Sequence, residues 1–264
     1  MKLKLKILFK WLLRFTILLI LIETVHFAIL ADPNIFFEHK IAYKRYSIYF
    51  DASITWEALS AFDDVEERIT ATDVFDSSFA PQIFICHSQK LYSFFTFLLG
   101  MNSSSSGVNV SLVDNTFINI SRIEKLKANH DRRIHHSYIA GEADQIIAHE
   151  LIHNLTQNRI GWSAYRRLPR WKREGYAEYG SVISKLRREE NSNSLFKRAE
   201  IYFEEDLFNA PFHSREYYKF QLIVEYLFEV KKYSIDEFIK NTNSEKSVFN
   251  EFQNWYKGMQ NKLQ

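Results

Sequence analysis

His149-Glu150-Leu151-Ile152-His153 lies inside the run GEADQIIAHELIHNLTQNR, residues 141–159, and decides how the rest of the chain is read. Ile146, Ile147, Leu151, Ile152 and Leu155 recur at helical spacing, and no Pro or Gly interrupts residues 142–159. Residues four apart share one face of a helix, so both imidazoles reach a single Zn2+ at about 2.0–2.1 Å. Glu150 then lies beside the metal's open position, where a carboxylate takes a proton from metal-bound water. A chain of this composition produces such a pentapeptide by chance with odds of about 1 in 40, so a third ligand is the needed confirmation.

The candidate is Glu174, 21 positions beyond His153, in the string LPRWKREGYAEY of residues 168–179. HELIH followed by W-x-x-E-G-x-A-E-Y resembles the gluzincin branch of zinc metallopeptidases, thermolysin-like in site design. More narrowly it resembles a bacterial peptidase-MA-like group, in which P-x-W-x-x-E-G-x-A-E-Y opens the helix bearing the third ligand. The resemblance covers residues 143–181. It implies a zincin-like fold, with His149, His153 and Glu174 on one Zn2+ and Glu150 as general base. It also implies an edge strand before the HExxH helix that pairs with extended substrate; the candidate is Phe117 to Ser121. An oxyanion donor from a later helix is implied too, with Tyr217 preferred over Tyr218 and His213 in the segment before and within YYKFQLIVEYL. Glu178, one turn beyond Glu174, is placed to accept the second ring N–H of a zinc-bound histidine.

Composition agrees. One cysteine excludes a disulfide framework and a Cys-based zinc finger, so a metal site must use His and carboxylates. The formal net charge of +2 divides unevenly. Residues 1–31 hold five bases and one acid, hence +4; the remainder holds the other 29 bases and 31 acids, hence −2. Nothing in that balance calls for nucleic acid. The leader MKLKLKILFKWLLRFTILLILIETVHFAILA has the basic and apolar regions of a signal peptide or membrane anchor, with Glu23 and His26 interrupting. The positive-inside rule leaves the body of an anchored or exported protein outside the cytoplasm.

Within the body, 46–50 and 81–86 read as strands, 53–75 and 89–99 as helices, and 102–107 as a polar loop. VNVSLVDNTFINIS reads as a hairpin about Asp114-Asn115. Residues 122–140, with His135-His136, read as irregular, 161–169 as a loop, and 170–190 as a helix after Pro169. NSNS at 191–194 breaks the chain before two or three further helices. Arg159, Arg166, Arg167, Arg170, Lys172 and Arg173 form a basic run suited to a solvated face, acidic substrates or anionic lipid.

Strands first and helices later give an α+β domain over 32–264, strand-rich over 41–140 and helical over 141–264. The expectation is a zinc metallopeptidase, membrane-anchored or exported and bacterial, acting on a peptide or protein. The alternative is a non-catalytic membrane-anchored binding or assembly module that retains a zinc site. Intramembrane proteolysis is disfavoured by Glu142, Asp144, Gln145, Asn154 and Gln157 on the HELIH helix.

Overall fold

The computed structural model describes residues 2–52, 56–110, 113–123, 143–188, 195–204 and 215–263. His135, His136, His213, the first residues (53–55) of the helix expected over 53–75, and the 191–194 break lie outside them. The fold is α+β, with one five-stranded mixed sheet in the order β1-β2-β3-β5-β4. The strands are β1 (His39–Tyr43), β2 (Tyr46–Phe50), β3 (Gln82–Cys86), β4 (Gly107–Val110) and β5 (Asn115–Asn119). β2, β3 and β5 are parallel, and the two outer strands are antiparallel to their neighbours.

Period-two alternation divides β2, β3 and β5 between two cores. Ile48, Phe50, Ile83, Ile85 and Ile118 face the larger core. It is covered by α2 (Trp56–Thr70), the HExxH helix α4 (Ala143–Ile160) and α6 (Arg170–Arg188). Tyr49, Phe84, Val108, Val110 and Phe117 face a smaller aromatic core under α3 (Gln89–Leu98) and the last turn of α1 (Lys2–Ala31). Rings of Tyr49, Phe84, Phe117 and Phe95 stack in succession across it.

Three sequence expectations are corrected. Residues 161–169 are not a plain loop, for α5 (Trp162–Arg167) fills most of them. The segment contains no Gly or Pro from 162 to 168, and Tyr165 anchors it in the core. Phe117 to Ser121 is not an edge strand. β5 is hydrogen-bonded on both sides, by β3 and by β4, and the chain turns helical at Ile120. Among the described residues, the free edge beside α4 belongs to β4. Finally, α2 ends at Thr70 rather than running to residue 75.

The C-terminal part is more divided than expected. It contains α7 (Leu195–Glu204), α8 (Arg215–Glu225) continuing into a π-turn (Tyr226–Val230), α9 (Ile235–Lys240) and α10 (Glu245–Leu263). β1 escaped notice because its edge position leaves His39 and Lys40 exposed and blurs its alternation. The 23 residues Phe9–Ala31 of α1 are long and apolar enough to cross a membrane, and a signal sequence satisfies the same measure. The boundary at residue 31 is not a break in packing, since Leu30 is buried in the aromatic core.

Candidate metal centre

α4 carries His149 and His153 on one face, and α6 brings Glu174 opposite them. His149 Nε2 and His153 Nε2 are 3.0 Å apart, and Glu174 Oε2 is 3.7 and 3.5 Å from them respectively. Three ligands about 2.05 Å from one ion at tetrahedral angles stand about 3.3 Å from one another. The observed triangle fits that requirement, and it faces two nitrogen lone pairs toward each other unless a proton or cation lies between them. These three residues form a group within metal-binding distance.

The surrounding charge has the sign a cation needs. Burial pushes the His149 imidazole down, but Glu178, Glu174 and Glu150 outweigh it and hold the group up, at about 9. Burial likewise pushes the Glu174 carboxyl up; hydrogen bonds and charge from both histidines overcome it and hold it well below the usual carboxylate range. The Glu150 carboxyl is pushed up by burial, against the pull of both imidazoles.

Each histidine has a partner behind it. An imidazole lending Nε2 to an ion carries its proton on Nδ1. His149 Nδ1 is 3.4 Å from Glu178 Oε1, and His153 Nδ1 is 2.6 Å from the Tyr165 hydroxyl. The sequence reading named Glu178 and missed Tyr165. No motif marks Tyr165, because its approach to His153 depends on the bend at Gly161 between α4 and α5. Glu178→Gln and Tyr165→Phe are each expected to weaken zinc binding about 10–100-fold, measured by competition with a chelating dye. Unchanged affinity in both would show that neither side chain orients its histidine.

Close approach explains two glycines. A Cβ on Gly107 of β4 would meet Glu150 Cγ at 2.8 Å, so only glycine leaves that carboxylate its place. A Cβ on Gly175 would meet the Phe220 carbonyl oxygen at 2.6 Å and Val224 Cγ2 at 2.7 Å, so the E-G step of the motif lets α8 pack onto α6 beside Glu174. Asn109, two residues along β4 from Gly107, donates from Nδ2 to the Glu150 carbonyl at 3.4 Å. Period two thus gives β4 one face for Glu150 and another, with Val108 and Val110, for the aromatic core.

Tyr217 and Tyr218 separate. The Tyr218 hydroxyl donates to the Arg198 carbonyl at 3.3 Å, in the packing against α7. Tyr217 lies near the carboxylates: burial, then the charge of Glu174, pushes its hydroxyl up, and Arg170 hydrogen-bonds to it. The basic run does not act as one patch. Lys172 is buried and donates to the Phe238 and Asn241 carbonyls at 2.5 Å, closing the end of α9. Arg159 pairs with Asp236, and Arg170 with Glu216. Arg173 stands over the Tyr165 ring, while Arg166 stands over exposed Trp162.

In comparisons with known proteins, no family model and no curated protein matches this chain.

Proposed function

We propose that the chain is a zinc-dependent metallopeptidase of gluzincin, peptidase-MA-like type, with a zincin-like fold and a body held outside the cytoplasm by α1. The observation that carries this reading is the His149–His153–Glu174 triangle, with Glu150 beside it under the edge of β4. A Zn2+ held by those three side chains supplies Lewis acidity toward a scissile carbonyl and a water acidified to near-neutral pKa.

The chain's own residues do the rest. Glu150 accepts the proton of the attacking water and passes it to the leaving amine. Glu178 and Tyr165 fix the ring planes of His149 and His153. β4, rather than β5, is the terminal strand of the sheet, the place where an extended peptide can add as a further strand. Tyr217 is the candidate donor to the developing oxyanion, held by Arg170.

Zinc content and peptide cleavage by the purified full chain test the proposal together. One equivalent of zinc with chelator-sensitive cleavage of a peptide library is the expected result. Zinc without cleavage would favour a non-catalytic module, and no zinc would end both readings.

A further inference from the structure

Four large apolar side chains outside the span stand in solvent at one end of the molecule: Ile35 (83% exposed), Phe94 (37%), Phe97 (79%) and Met101 (48%). Phe94 and Phe97, three apart, share the outer face of α3, and Met101 follows the turn at Gly100. Residues 91–101 carry no charge. The Phe36 ring lies 5.5 Å from Phe94 and 5.6 Å from Phe95, joining Ile35's short helical turn to α3. Isolated exposed apolar residues need no explanation, but a contiguous group does.

The location of the group says what covers it. α1 does not end in a linker. The Asn115 side chain donates to the Leu30 and Ala31 carbonyls at 2.8 and 3.3 Å, tying the end of α1 to the first residue of β5. The other end of β5 holds the start of α3, through Asn119 Nδ2 to Gln89 Oε1 at 2.8 Å. α3 therefore runs back along β5 and delivers Phe97 and Met101 to the end where α1 leaves the body. A span that exits there brings a lipid surface to the same place.

We propose that Ile35, Phe94, Phe97 and Met101 form a collar inserted into the bilayer interface beside α1, seating the body on the membrane instead of tethering it above. This rests on reading α1 as a membrane span. Amphipathic surfaces of this kind bury their apolar side chains about 5–10 Å deep at the headgroup boundary. The seating also sets the height of the metal centre. Gly107, against Glu150, pairs with Ile118, three residues from Asn115 and so about 10 Å farther from the lipid. Substrate would then be met close to the membrane surface.

The test uses the full chain in phosphatidylcholine vesicles, labelled with an environment-sensitive fluorophore at one introduced cysteine. Cys86 is buried and the unsubstituted chain serves as the labelling control. Probes are placed by Phe97→Cys and Ile35→Cys in the collar, Leu18→Cys in α1 and Lys257→Cys at an exposed position of α10. Lipid carrying a shallow nitroxide is expected to quench 97 and 35 at least about threefold more than 257, while aqueous iodide quenches 257 preferentially. Quenching at 18 with 97 and 35 behaving like 257 overturns the collar and leaves the span standing. No lipid quenching at any position overturns both. Shielding of 97 from iodide without nitroxide quenching points to a second protein copy and overturns the collar as well.

Discussion

Glu150→Gln is expected to bind one equivalent of zinc and to lose about 10²–10⁴-fold in kcat, with KM little changed. The amide matches the carboxylate in size and lies against the same Gly107, so the three ligands keep their places. What it loses is the capacity to accept a proton. Glu174→Ala separates the two roles. It leaves His149 and His153 facing each other at 3.0 Å with no anionic ligand, so zinc is lost along with turnover. Zinc content by metal analysis and single-turnover cleavage distinguish the pair, and a fully active Glu150→Gln would end the proposed mechanism.

Arg68→Ala is expected to destabilise the fold by about 3–5 kcal/mol. Arg68 and Asp144 are almost fully enclosed. Arg68 donates from Nε and Nη2 to Asp144 Oδ2 at 2.9 and 2.5 Å and from Nη1 to the Ser181 carbonyl at 2.5 Å. One guanidinium thus joins α2 to the first turn of α4 and to the middle of α6, the two helices that carry His149, His153 and Glu174. Removing it leaves the Asp144 charge buried without its counter-ion. A fall in melting temperature of roughly 10 °C, followed by circular dichroism in detergent, is the expected size for a chain of this length. Arg68→Met with Asp144→Leu is expected to recover most of that loss, because replacing both charges removes the desolvation penalty. A single variant as stable as the parent would show that the pair does not hold the ligand helices together.

Much of the centre was legible because its logic is local. HExxH is a statement about one helix face, and the four-residue interval brings two imidazoles together whatever the tertiary context. Glu178 follows from Glu174 by the same interval. Tyr165 and Gly107 were not legible, since each meets the site through a turn or a sheet whose position no short interval encodes. The edge strand was misassigned for a related reason. Alternation told which side chains of 107–119 share a face, but strand neighbours are set by long-range pairing, which inserted β5 between β3 and β4.

The sequence by itself determined the α+β order of elements, the face shared by His149 and His153, and the separation of a basic apolar leader from a near-neutral body. Those properties depend on composition and on periods of two and 3.6 residues. The tertiary structure brought Glu174 to the two histidines, as the resemblance implied, and it alone decided that Tyr165 stands behind His153, that β4 lies over Glu150, and that α1 is clamped to the body through Asn115. Each of these is a contact between segments distant along the chain, brought together when the sheet and its two cores assemble.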